Sequence, residues 1–165
     1  MKRFWSILLV MVGMILVDQL SKGAVQQNFH LGESIPVIDG FFNLTYVQNT
    51  GAAFGIGRGS PEWARVLFFL ALPVLIVIGL FVALIKSLKG PALISWAYGL
   101  ILSGAIGNLL DRFILKFVVD FFDFYIGDSH FAVFNVADSC VSVGGAFLFI
   151  DWLFFEKKRN EANPT

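Results

Sequence analysis

Apolar residues run along this chain in four long stretches, at about 4–25, 63–85, 92–110 and 134–155. Each is close to the roughly 20 residues that an α-helix needs to cross a hydrocarbon core of about 30 Å. The pattern therefore predicts four membrane-spanning helices. Pro73 falls inside the second run, where neighbouring helices tolerate a kink. Between the runs the pattern shortens. Residues 34–38, then Asp39-Gly40, then 41–47 read as a β-hairpin with an Asp-Gly turn. Residues 121–126, Gly127-Asp128-Ser129 and 130–134 read as a second hairpin, and the two can make a small sheet on one membrane face. The expected fold class is an all-α membrane protein of four transmembrane helices, with a small β-sheet and loop region on the outer face. Residues 1–165 form one integral membrane domain on this reading.

Composition agrees with a membrane solvent. Hydrophobic residues make up 57% of the chain, charged residues only 15%, and the mean hydropathy is +0.76. A soluble domain of this size needs more polar surface. Lys2 and Arg3 followed by an apolar run resemble a cleaved signal peptide. Asp18, Gln19 and Lys22 follow without an A-x-A-like site, so the reading is a retained helix.

Charge distribution gives the orientation. Lys2, Arg3, Lys86, Lys89, Lys157, Lys158 and Arg159 are seven of the twelve basic residues, and all flank the runs on one side. That side is read as cytoplasmic, with both termini and the turn 86–91 inside. Segments 26–62 and 111–133 are then extracytoplasmic loops, and the tail after Lys157 reads as disordered.

Other features exclude functions. The net charge is zero, which argues against nucleic acid, and Cys140 is the single cysteine, which excludes an internal disulfide. His30 and His130 are the only histidines and no HExxH is present, too few ligands for a zinc peptidase. No metal or cofactor is expected. Gly55-Ile-Gly57-Arg58-Gly59 lacks the spacing of a phosphate loop, and Asn43-Leu-Thr45 has meaning as a glycosylation acceptor only in a eukaryotic secretory context. Gly99, Ser103 and Gly107 are four apart, which predicts a close helix–helix approach.

The chemistry should lie where apolar runs hold polar groups, because an Asp at mid-span costs about 2.5–3.5 kcal/mol. Asp18, Asn108, Asp111, Arg112, Asn135 and Asp138 all fall near the outer ends of the runs, in one layer of the bundle. Asp18 and Lys22 at i, i+4 read as a structural ion pair anchoring the first helix to the head groups. Asn108 and Arg112 share a face, with Arg112 either facing lipid phosphates or orienting a substrate carbonyl or a catalytic carboxylate. Asn135 reads equally as a helix cap, whereas Asp138 is already entering hydrocarbon. Asp120 stands between Val118-Val119 and Phe121-Phe122, a poor setting for a solvated acid. Asp123 and Asp128 read as ordinary loop acids, and Asp151 lies near the inner end.

Five short motifs resemble those of one family in its order. They are Asp18-Gln19-x-x-Lys22, Asn49-Thr50-Gly51-Ala52-Ala53-Phe54, Gly107-Asn108-Leu109-Leu110-Asp111-Arg112, Val118-Val119-Asp120-Phe121 and Phe134-Asn135-Val136-Ala137-Asp138-Ser139. Together they are similar to the motif set of the lipoprotein signal peptidases (signal peptidase II). The resemblance implies an intramembrane aspartic endopeptidase of the bacterial inner membrane. Asp120 and Asp138 would be its catalytic pair. Asp18, Lys22, Asn49, Gly51, Asn108, Arg112, Asn135 and Ala137 would support the site or contact substrate, and Asp111 is read as supporting too. Implied partners are diacylglyceryl-prolipoprotein substrates, cleaved just before the lipidated cysteine, and membrane lipids. Inhibition by globomycin-type cyclic peptides follows from the same resemblance.

Two close carboxyls suffice for peptide hydrolysis when they share one proton, because like charges at that separation do not both ionise easily. One acts as base toward water and the other as acid toward the carbonyl oxygen and then the amine. A small transporter or proton relay is the competing reading, and it expects acids spread through the membrane depth. A purely structural membrane subunit is the third.

Overall fold

A computed structural model describes residues 1–50, 61, 67–156 and 159. Helix α1 spans Lys2–Asn28, and strands β1 (Ser34–Ile38) and β2 (Phe42–Asn49) follow. A π-helical turn, Leu67–Ala71, leads into α2 (Leu72–Ser87), and α3 covers Ala92–Ile114. Strands β3 (Val118–Ile126) and β4 (Ser129–His130) precede α4 (Val136–Asp151), which runs into a second π-helical turn, Trp152–Glu156. The beginning of the second expected run, Gly51 with the Ala52-Ala53-Phe54 that ends its motif, the Gly55–Gly59 segment and the tail other than Arg159 lie outside the described residues.

Among the described residues, three helices are long and apolar enough to cross a membrane: Lys2–Asn28, Ala92–Ile114 and Val136–Glu156. Leu72–Ser87 is apolar but shorter. Helix α3 is central, packing on α1, α2 and α4. Its contact surface is made of small residues. A Cβ on Gly99 would sit 2.5 Å from Ile7 Cγ2, and one on Gly107 would sit 2.6 Å from Asp18 Oδ2. A Cβ on Gly104 would collide with the Ala137 carbonyl oxygen, so this glycine, outside the expected Gly99–Ser103–Gly107 face, sets the α3–α4 approach. Ile7, Met11, Leu84 and Leu102 form the core between these helices. Their outward faces stay apolar and exposed, with Leu9, Leu20, Leu75, Ile78 and Phe149 among them, as a lipid solvent requires.

The two hairpins merge into one antiparallel sheet in the order β1-β2-β3-β4. Gly40 and Gly127 carry the positive φ values of their turns, 77° and 58°. Alternation along β3 sends Val119 and Phe121 into a second core with Val25 and Tyr46, and Asp120 to the opposite face. Helix α3 continues four residues past the expected end, to Ile114, so Asp111 and Arg112 are helical. It stops at Lys116, whose φ of 72° turns the chain into β3 and whose ammonium caps Phe113 O at 3.0 Å. Phe134, expected both at the end of the second hairpin and at the start of the last helix, pairs with Phe122 beside the sheet.

Candidate active site

The site lies where the sheet meets the helix ends, and three features of local structure build it. Antiparallel pairing sets Asp120 opposite Val47 on β2, two residues before Asn49. Helix α4 starts at a capping box. The Asn135 side chain accepts from Asp138 N at 2.9 Å, and Asp138 Oδ2 accepts from Asn135 N at 3.2 Å. The long α3 carries Asn108, Asp111 and Arg112 up to the same level.

Asn135 therefore does both things the sequence offered for it. While capping α4 it also donates from Nδ2 to Asp120 Oδ1 at 2.7 Å, linking the two carboxyls through one residue. Each carboxyl has a second amide donor. Asn49 Nδ2 reaches Asp120 Oδ2 at 3.0 Å, and Asn108 Nδ2 reaches Asp138 Oδ1 at 2.7 Å. Burial pushes the Asp120 carboxyl up from the ordinary 3.8 to about 6. The Asn49 hydrogen bond opposes that rise, the Asp138 charge adds to it, and Asn135 and Lys22 hold it back.

Both carboxyls open onto a cavity of about 630 Å³. Asn49, Asn108 and Arg112 supply its polar lining, while Val118, Phe131, Phe134, Val141 and Val143 make the rest largely apolar. Arg112 donates to Asn108 O at 3.3 Å, within electrostatic reach of Asp138 and Asp120. Its guanidinium thus belongs to the cavity. Stacked phenylalanines on the Asp120 face of the sheet, Phe42 on Phe124 and Phe124 on Phe134, brace the wall behind it.

Beneath the carboxyls is a buried polar layer. Lys22 Nζ sits 2.8 Å from Asp18, 3.0 Å from Asp111 and 2.9 Å from Asn108 Oδ1. The Asp18–Lys22 pair is real, but it does not face head groups: both residues are buried, and they tie α1 to α3 and α4. Gln19, quoted in the first motif but assigned no role there, donates from Nε2 to Asp18 Oδ2, Asp111 Oδ1 and Gly107 O. Its position beside Asp18 in an apolar run was the available signal. Ala137 contributes its backbone N–H, donated to Asp18 Oδ1 at 2.8 Å.

Of two other acids, Asp123 departs from its sequence reading and Asp151 keeps to it. Asp123 is not a loop acid: it is buried in the sheet, accepting from Thr45 Oγ1 at 3.0 Å and bonded to His130 Nδ1 at 2.8 Å. Asp151 lies at the far end of α4, paired with Arg159, away from the carboxyl layer. Cys140 is buried as a free thiol.

Fold and site together define a class: a helical membrane protein whose paired carboxyls, buried among amide donors, face a largely apolar cavity. Residues 10–154 match the family described as Signal peptidase (SPase) II, and the chain belongs to that family. The lipoprotein signal peptidase of Syntrophus aciditrophicus (strain SB) is 43% identical over 162 residues, 97% of this chain and 100% of that protein. That of Trichormus variabilis is 52% identical over 132 residues, 78% of this chain and 77% of the relative. A solved bacterial membrane enzyme superposes with a TM-score of 0.77 at 30% identity, covering 97% of this chain and 92% of that one. The chain is accordingly a peptidase, of the aspartic type its family implies.

Proposed function

We propose that Asp120 and Asp138 are the catalytic pair with which this chain removes signal peptides from diacylglyceryl-modified prolipoproteins, cleaving just before the lipidated cysteine. The observation that carries the reading is Asn135, which donates to Asp120 from its side chain and to Asp138 from its backbone. Asn135 holds the two carboxyls together, while burial and the Asp138 charge favour keeping one proton on the pair. One takes a proton from the attacking water, and the other gives its proton to the carbonyl oxygen and later to the leaving amine. The pair titrates as a unit.

Asn49 and Arg112 line the cavity beside the carboxyls and are suited to hold substrate carbonyls there. Asn108, Asn135, Ala137, Asp18, Lys22 and Asp111 support the pair through the bonds described above, and Gly51 belongs with them by its motif. The apolar part of the cavity fits the apolar end of a signal helix, while the substrate's acyl chains remain in membrane lipid. A globomycin-type cyclic peptide would compete for the same cavity.

In the membrane, α2 and the π-helical turn before it form the fourth span, with both termini and the turn 86–91 in the cytoplasm. Arg3 supports one side for these groups, since its guanidinium donates to Leu88 O at 3.2 Å and Gly90 O at 2.7 Å. The sheet and the carboxyls then lie near the outer face of the inner membrane, where a translocated lipoprotein presents its cleavage site. Loops 26–62 and 111–133 belong to the same outer side of a single membrane domain.

The test is incubation of the purified protein with a diacylglyceryl-modified prolipoprotein and with its unmodified form. Mass spectrometry should find a new N-terminus at the lipidated cysteine in the first case only. Cleavage elsewhere, or none in either substrate, rules out the reading.

A further inference from the structure

The peptide just before each of the paired aspartates is held by a buried carboxylate. Val119 N–H donates to Asp111 Oδ2 at 3.1 Å, and Ala137 N–H donates to Asp18 Oδ1 at 2.8 Å. Val119 precedes Asp120, and Ala137 precedes Asp138. One ammonium joins the two holders, with Lys22 Nζ 2.8 Å from Asp18 and 3.0 Å from Asp111. Gln19 Nε2 bridges them a second time, at 3.1 Å and 2.9 Å. The three charged side chains are at most 2% exposed.

A buried ion cluster is a poor way to gain stability, because well-packed apolar residues often do as well or better. What it supplies here is geometry. A charge-assisted N–H···O bond is short and directional, and these two fix backbone rather than side chain. The Phe122–Phe134 bridge and Asn135, which donates to Val119 O at 3.2 Å, already join β3 to the start of α4 on one side. The chain of bonds Val119–Asp111–Lys22–Asp18–Ala137 braces the same separation from the helix side.

We propose that Asp111 is a positioning residue for the hydrolysis, fixing the separation of the Asp120 and Asp138 carboxyls through the Val119 amide on one side and through Lys22 and Asp18 on the other. This rests on the catalytic reading of that pair. Lys22, Asp18 and Arg112 are the charged groups acting directly on the pair, and Asp111 acts through its link to the backbone and through its charge on Arg112. Loss of about 1 Å in placement is worth on the order of 100-fold in rate. Carboxyls that drift apart also couple less, which brings their two apparent titrations together.

The experiment is steady-state cleavage of a diacylglyceryl-modified prolipoprotein across pH by wild type, Asp111→Ala and Asp111→Asn, each normalised to folded protein. Asp111→Ala should lower kcat by about 100-fold with little change in KM, and its pH profile should narrow. Asp111→Asn keeps an acceptor oxygen for the Val119 amide and should recover much of the rate and the width. Where the alanine variant does not accumulate, Asp111→Glu, with its carboxyl one methylene too far, should show the same loss. Folded Asp111→Ala or Asp111→Glu with wild-type kcat and profile width overturns the proposal. Asp120→Asn and Asp138→Asn are run alongside. If either still cleaves, the catalytic reading itself fails; if both are inactive while Asp111→Ala behaves as wild type, only the positioning role fails.

Discussion

Replacing Asp120 with Asn should abolish activity and yet stabilise the protein at neutral pH. The wild-type carboxyl is 3% exposed, and burial raises it from 3.8 to about 6. The fold therefore disfavours its ionised form by about 3 kcal/mol relative to the unfolded chain. A carboxyl raised in this way contributes no such penalty below 3.8, and carries all of it above about 6. Asn at this position never ionises, so it escapes the penalty. It still accepts from Asn135 through one oxygen, but turns an amide nitrogen toward Asn49, which forfeits a hydrogen bond worth about 1 kcal/mol. The variant should thus be about 2 kcal/mol more stable than wild type at pH 7.5 and about 0.5 kcal/mol less stable near pH 4, where part of the penalty is already present. The single buried thiol, Cys140, reports unfolding in detergent when a thiol-reactive dye is present at pH 7.5, and tryptophan fluorescence serves at pH 4. A variant less stable than wild type at pH 7.5, or a difference that keeps its sign between the two pH values, refutes the reasoning.

Asn49→Ala removes a hydrogen bond that favours ionised Asp120, so the Asp120 carboxyl rises further above about 6. The limb of the cleavage pH profile on which the pair loses its shared proton should move to higher pH; an acid shift would contradict the assignment. Gly104→Ala forces a Cβ against the Ala137 carbonyl and Val141, and should lower stability by about 1–3 kcal/mol, with activity falling as α4 moves. Gly145→Ala meets nothing within 4 Å and should gain up to about 1 kcal/mol, so thermal unfolding of the two variants side by side checks the α3–α4 contact.

Much of this was legible before the fold was known. Apolar run length gave α1, α3 and α4, and the Asp-Gly and Gly-Asp turns gave both hairpins. Asp120 and Asp138 stood out because acids in apolar settings are costly. That their surroundings converge was not legible. They are separated by a strand, a turn and a helix start, and what joins their settings is β3 pairing with the distant β2 together with the Asn135 cap. Lys22 misled because an i, i+4 pair with Asp18 already satisfied it locally, which hid its second acid, Asp111, across the bundle. Asp123 misled because it groups with the turn acid Asp128, although Phe122 and Phe124 flank it and period two along β3 puts it on the buried face of Phe121. The end of α3 gave no glycine signal, because Lys116 takes the left-handed turn itself.

The central claim is that Asp120 and Asp138 act as one catalytic unit, and single-turnover cleavage of a diacylglyceryl-modified prolipoprotein tests it most directly. Asp120→Asn, Asp138→Asn and the double variant should each bind substrate and each lose at least about a thousandfold in rate, with the double variant no worse than either single one. Near wild-type cleavage by either single variant, or losses that multiply in the double, would contradict the account.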